Sequence, residues 1–268
     1  MPQPQPQPQP APGSTPPAAR RGVLVTGASR GIGRAVAAAF ARQGDRVAVH
    51  ASAPHAEARE TLAALDGEGH VLVTGDLGDP ARVEELVAEA AAALGGVDVL
   101  VNNAAAMVAH PLPTTSYARW QQAWRRTAAV NLFGAADVSY CVARRMIDEG
   151  RPGHIVNVGS RGAFRGEPDH PAYGATKAAL HAFGQSLAVS LAPHGITVAS
   201  VAPGFVATER VSGRLRGAEG EGIRAQSPFG RVAEPEEIAS AVLYLASPEA
   251  RWSSGAVLDV NGASYLRT

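Results

Sequence analysis

Apolar positions along the chain fall into short unbroken runs. Val23-Leu24-Val25, Val47-Ala48-Val49, Val71-Leu72-Val73 and Val99-Leu100-Val101 have few or no polar positions between their apolar residues. Longer runs cover His154–Val158, Thr197–Val201 and Ala256–Val260. Runs of three to six apolar residues without alternation read as strands buried on both faces. Helix-compatible stretches separate them, at residues 31–43, 55–66, 80–94, 116–149, 172–191 and 235–246. Strands that alternate with helices predict βαβ units and a parallel sheet. Right-handed crossovers then make a single doubly wound α/β sheet of about seven strands the simplest solution, in one domain over residues 21–268.

Two segments break this rhythm. Residues 1–20, MPQPQPQPQPAPGSTPPAAR, hold eight of the 20 prolines within their first 17 positions and have almost nothing to bury. An extended, disordered Pro/Gln tail is expected there. Residues 209–228 are rich in Gly and Arg and show no clear period, as expected of an active-site lid. Arg210, Arg214, Arg216 and Arg224 stand against Glu209, Glu219 and Glu221 in this lid, 4 − 3 = +1, too slight an excess to mark a polyanion site.

Composition narrows the function classes. Lys+Arg and Asp+Glu each number 24, so the chain is formally neutral and lacks the basic excess of a nucleic-acid binder. No apolar run approaches the ~18 residues of a membrane span, and the N-terminus lacks the pattern of a secretory signal. The single cysteine, Cys141, cannot make an intrachain disulfide and reads as a small buried hydrophobe. A cytoplasmic location is expected. The eight histidines show no metal-ligand spacing, and His50 and His55 fall in a predicted loop and helix start. Of the 24 basic residues 23 are arginine; the one lysine is Lys177.

Chemistry concentrates at strand ends. Thr26-Gly27-Ala28-Ser29-Arg30-Gly31-Ile32-Gly33 joins the first strand to the first helix. Its glycines permit a tight turn whose amides, with the helix dipole, suit a pyrophosphate. Tyr173 and Lys177 are four apart on a predicted helix and share a face. A nearby ammonium favours phenolate, so the pair reads as an acid/base tuned toward neutral pH. Ser160, at the end of the fifth strand, faces the crevice where doubly wound sheets bind ligand and is placed to hydrogen-bond a substrate carbonyl.

The T-G-x-x-x-G-x-G spacing and these residues resemble the short-chain dehydrogenase/reductase family, closest in texture to its 3-oxoacyl-(acyl carrier protein) reductase branch. The likeness covers nearly the whole chain after residue 21 and implies a Rossmann fold. It implies a catalytic tetrad of Asn131, Ser160, Tyr173 and Lys177, with Asn131 holding a water that links Lys177 to solvent. It implies that Asp76 contacts adenine and Thr208 the nicotinamide carboxamide. The expected cofactor-binding set is Gly27, Ser29, Arg30, Gly31, Ile32, Gly33, Ser52, Asp76, Leu77, Asn103, Ala104, Ala105, Tyr173, Lys177, Pro203, Gly204, Val206 and Thr208. Ala105 stands where the family usually has glycine, which adds a methyl group beside the expected ribose.

The second strand ends His50-Ala51-Ser52 with no acid before Glu57, while Arg30 can pair with a 2′-phosphate and Ser52 can donate to it. NADP(H) is therefore expected over NAD. The implied reaction is hydride transfer between NADP(H) and a carbonyl or secondary alcohol, without metal. The substrate is expected against Met107, Arg161, Phe164, His170 and Phe205, under the lid. Relatives imply a homotetramer, or a homodimer, packed through 116–149 and 172–191. Two alternatives stay open: an NAD-dependent alcohol or sugar dehydrogenase, and a non-catalytic dinucleotide-binding protein.

Overall fold

A computed structural model of the chain describes residues 20–267; the Pro/Gln tail expected over residues 1–20 lies outside them, apart from Arg20. Seven strands form one sheet: β1 (Gly22–Val25), β2 (Arg46–Ala51), β3 (Val71–Thr74), β4 (Val99–Asn102), β5 (Gly153–Val158), β6 (Ile196–Pro203) and β7 (Val257–Val260). Their order is β3-β2-β1-β4-β5-β6-β7, and every pairing is parallel. The order reverses between β1 and β4, so their carboxyl ends diverge and open a crevice, as the doubly wound topology requires.

The helices are α1 (Gly31–Arg42), α2 (Ala56–Ala63), α3 (Pro80–Leu94), α4 (Tyr117–Ala128), α5 (Ala135–Asp148), α6 (Pro171–Leu191), α7 (Gly217–Arg224) and α8 (Pro235–Leu245). Side-chain alternation along β1 divides the core. Val23 and Val25 pack with Val36 and Phe40 of α1 and Ile238 and Val242 of α8. Leu24, on the opposite face, packs with Leu86 of α3, Leu100, Met146 of α5 and Ile155. Local signals set several boundaries. Asp79 caps α3 by accepting from Ala81 N (3.2 Å), Pro80 occupies its first turn, and Gly95 ends it in a left-handed conformation with φ 71°.

The expected helix over 116–149 is not continuous. A π-helical turn, Ala129–Gly134, separates α4 from α5. Asn131 explains the interruption. Its Oδ1 accepts from Ala106 N (2.7 Å), and its Nδ2 donates to Ala106 O (3.0 Å) and Thr176 Oγ1 (3.2 Å). The widened turn brings this side chain against the β4 loop and α6 together, as π-bulges do at functional sites. Cys141 is only half buried, packed at the edge of the α3–α5 core. Residues 209–228 hold α7 between turns. No helix among the described residues is long and apolar enough to cross a membrane.

Candidate active site

The crevice at the carboxyl ends of the strands is a cleft of about 1090 Å³. Every residue expected to bind the cofactor lines it. At its floor Gly27 and Gly31 adopt φ of 63° and 55°, in the left-handed region. Gly33 is needed for closeness: a Cβ there would lie 2.3 Å from Gly27 O and 2.5 Å from Asn103 Nδ2. Asn103 Nδ2 donates to Thr26 O (2.9 Å) and Gly27 O (3.0 Å), and Thr26 Oγ1 accepts from the amides of Asn103 (2.9 Å) and Ala104 (3.1 Å). These bonds lock the β1 turn to the β4 loop. Arg30, at the start of α1, supplies no side-chain cap, so the first-turn amides stay open to an anion. This cradle fits a dinucleotide pyrophosphate.

His50 was not anticipated as part of the site. It lies on β2, not in a loop, and is buried. Its Nδ1 accepts from Gly27 N (3.1 Å), which places the proton on Nε2 for donation to Gly75 O (3.0 Å). Burial holds its pKa below the usual histidine range. The one available signal was a polar residue inside an otherwise apolar strand.

At the adenosine end, Arg30 and Ser52 are exposed on the cleft wall. Glu57 also reaches this wall, with its Oε2 3.2 Å from His55 Nδ1. Asp76 lies in the cleft but is already paired with Arg126 (2.6 Å), whose guanidinium holds the carboxyl below its ordinary pKa. The methyl of Ala105 causes no backbone strain, because Ala263 is the only non-glycine among the described residues with positive φ. Among the same residues, no group of His, Cys, Asp and Glu is arranged to hold a metal ion.

Tyr173 and Lys177 sit in the first turns of α6, beside Ser160 and beyond the end of β5. Lys177 is 2% exposed; its Nζ donates to Val158 O (2.6 Å) and stands 5.8 Å from the centre of the Tyr173 ring. Burial is the largest influence on both groups. It pushes Lys177 down to about 7, helped by the charge of Arg210. It pushes Tyr173 above the usual phenol value, opposed by the Ser160 hydroxyl and by Arg210. The expected lowering of Tyr173 by the lysine is therefore not what sets the phenol here; desolvation is. Ser160 Oγ accepts from Gly162 N (2.9 Å), which directs its hydroxyl hydrogen toward the cleft and the Tyr173 phenol. Asn131 does not line the cleft. Its amide ties the Ala106 backbone to α6.

Of the residues expected around the substrate, Met107, Arg161, His170 and Phe205 line the cleft. Phe164 does not. The 3₁₀ turn Arg161–Ala163 carries its ring past the cleft, where it stacks on His181 (5.3 Å, 12°) beneath the Arg267 guanidinium (4.6 Å). Tyr265 OH donates to Phe164 O (3.0 Å) and fixes this path. Charged groups also line the cleft, among them Glu167, Asp169, Arg210, Arg214 and Glu219, together with apolar Ala106, Ala109, Pro111 and Val211. Arg210 Nη2 donates to Ala105 O (3.1 Å), so the segment after β6 is tied to the β4 loop. Arg214 pairs with Glu219 at 2.7 Å. Burial raises the Glu167 pKa and lowers that of His170.

Residues 27–263 match the family model described as enoyl-(acyl carrier protein) reductase. The chain is 39% identical over 251 residues to an L-rhamnose 1-dehydrogenase (NAD(P)(+)) of Azotobacter vinelandii, and 35% over 253 residues to a sorbitol dehydrogenase of Cereibacter sphaeroides. It is 38% identical over 244 residues to the 3-oxoacyl-[acyl-carrier-protein] reductase of Escherichia coli. Each match covers 91% of this chain and 96% of the relative.

Proposed function

Because the chain belongs to the short-chain dehydrogenase/reductase family, we propose that it is an NADP(H)-dependent carbonyl reductase with Tyr173 as general acid. The observation that carries this reading is the meeting of Ser160, Tyr173 and Lys177 with the open glycine cradle in one cleft. The cradle amides of Gly31 to Gly33 would hold the pyrophosphate, Thr208 the carboxamide, and Lys177 the ribose nearest the reacting carbon. A bound reduced nicotinamide supplies the hydride.

Ser160 donates to the substrate oxygen and steadies its developing charge. Tyr173 delivers its phenolic proton to that oxygen and completes the alcohol. A phenol kept protonated by burial is in the correct form for this direction throughout neutral pH. Asn131 is a positioning residue that holds the Ala106 backbone against Thr176 of α6. Its expected part in a water relay belongs to the same proposal.

The preference for NADP(H) rests on exposed Arg30 and Ser52 at the β2 end, with the nearby Glu57 placed against His55. A second reading, oxidation of a sugar or polyol, is favoured by the charged substrate wall and by relatives named for rhamnose and sorbitol. Large exposed apolar side chains on the outer helices, Tyr140 of α5 and Val189 of α6, support the homotetramer as part of this proposal.

The test is Tyr173→Phe, assayed with titrations of NADPH and NADH. The expected result is a loss of turnover of at least ~100-fold with unchanged NADPH binding, tighter than that of NADH. Retained turnover would reject Tyr173 as the acid, and absent dinucleotide binding would reject the enzyme reading altogether.

A further inference from the structure

Beside Ser160, the substrate wall carries a buried cation that the proposed chemistry does not use. Arg161 is 5% exposed, yet it faces the cleft. Its Nη2 donates to the neutral amide of Gln226 (2.5 Å), in the lid segment after α7. Its guanidinium lies 5.0 Å from the centre of the Phe205 ring. Its Nη1 is buried and has no hydrogen-bond partner. Among the described residues no carboxylate comes within the 4.0 Å of an ion pair with it.

The charges around it do not resolve this. Arg165, on the same turn, adds a second positive charge, and its Nη1 reaches the same Gln226 oxygen at 3.5 Å. Glu167 is the nearest acid to weigh. Its Oε1 lies against Gly162, outside ion-pair distance of the guanidinium; burial raises its pKa, and the charges of Arg161, Arg165 and Arg214 partly offset that. Asp169 and the Arg214–Glu219 pair also border the cleft, and the pair neutralises itself. Arg210, across the cleft, is engaged through a carbonyl and not a carboxylate.

Arginine does not give up its proton in a protein, so it cannot escape burial by neutralising as a lysine would. A buried charge without a counter-charge is costly, and such charges are normally paired. Here the side chain that carries the unfilled donor lines a cleft, next in sequence to Ser160.

We propose that Arg161 binds an oxyanion of the substrate, a carboxylate or a phosphate carried close to the carbonyl, so that the enzyme reduces an oxo acid or a phosphorylated ketone in preference to neutral carbonyls. The inference deepens the carbonyl-reductase reading and rests on it. The Phe205 face beneath the guanidinium and Gln226 at its edge fix the plane of the fork, and Nη1 supplies the free donors. Gln226 also couples the anion site to the lid, since seating the anion and holding the lid down use the same guanidinium.

The experiment compares matched substrates with NADPH saturating: acetoacetate against methyl acetoacetate, and dihydroxyacetone phosphate against dihydroxyacetone. The charged member of one pair should be favoured in kcat/KM by roughly 10- to 100-fold, the range of a charge-assisted hydrogen bond. Which pair shows the preference separates carboxylate from phosphate. Arg161→Gln should abolish the preference through KM, with NADPH affinity unchanged, and Arg161→Lys should restore part of it.

If none of the four compounds turns over, malonate and inorganic phosphate are titrated against the NADPH-loaded protein by thermal shift. Stabilisation that requires Arg161 supports the proposal. Equal or better use of neutral substrates, or an anion effect that survives Arg161→Gln, overturns it. Failure of the reductase reading looks different, because the NADPH titration itself would then be flat. Should Arg161→Gln not fold, Arg161→Lys carries the comparison.

Discussion

Single side chains in this protein show how burial, more than any pairwise contact, sets chemical character. His181 is the clearest case outside the reaction itself. It lies one turn beyond Lys177 on α6, is 4% exposed, and neither ring nitrogen has a hydrogen-bond partner. Desolvation, with the charge of Lys177, outweighs the Ser160 backbone beside the ring and pushes its pKa from the usual 6.5 down to about 4. The unfolded chain therefore binds a proton that the folded chain refuses between these two values. Stability is complete above about 6.5 and falls as the pH drops toward 4, by roughly 3 kcal/mol in total. His181→Leu removes that liability and keeps the contact with Phe164. The variant should unfold at a lower pH than the parent on acid titration followed by circular dichroism, with little change in midpoint temperature at pH 7.5. An unchanged acid midpoint would show that His181 does not carry this linkage. The same desolvation acts on Tyr173 and Lys177, and the sequence could not display it. Their spacing was legible as i, i+4, but the depth at which the helix sits was not.

Between elements, the site depends on joints that periodicity does not encode. The strands, their order of appearance and the glycine turn were readable because apolar runs and turn residues are local signals. The π-turn at Ala129–Gly134 was not readable, because one extra residue per turn leaves the helical composition intact and its cause, Asn131 on Ala106, lies 25 residues away. Phe164 was misplaced for a similar reason: an aromatic residue near Ser160 gives no sign of which way a 3₁₀ turn will carry it. His50 is a third such joint. It bridges the end of β2 to the amide of Gly27 and to Gly75 O, so it stiffens the cradle from behind. His50→Ala leaves a buried donor and a buried acceptor unmet, at about 1–3 kcal/mol each. We expect the NADPH dissociation constant to rise about 10-fold with unchanged helix content, measured by nucleotide fluorescence titration. An unaltered constant would mean that the turn holds its shape without the imidazole.

At the scale of the whole molecule, the cleft wall proposed to face substrate is assembled from both ends of the C-terminal half of the chain. The turn that carries Ser160 and Arg161 leaves β5, yet its backbone is pinned by Tyr265, 101 residues later, through Phe164 O. Asn261 holds that terminal segment by donating to Tyr265 O (3.0 Å), and Arg267 binds Asp259 (2.7 Å) while covering the Phe164 ring. The cofactor cradle draws on a different set of elements: the glycine turn, the end of β2 and the β4 loop. The doubly wound topology thus gives the two halves of one cleft separate mechanical supports. It follows that loosening the C-terminal clamp should disturb substrate without disturbing the nucleotide. Tyr265→Phe deletes one hydroxyl and keeps the ring. Loss of a single hydrogen bond of about 1 kcal/mol predicts roughly a 5-fold rise in substrate KM, with a smaller fall in kcat and no change in NADPH affinity. Steady-state kinetics on the preferred substrate, together with the nucleotide titration, separate these effects. A rise in the NADPH dissociation constant as large as that in KM would show that the halves are not independent and that the clamp braces the cleft as one body.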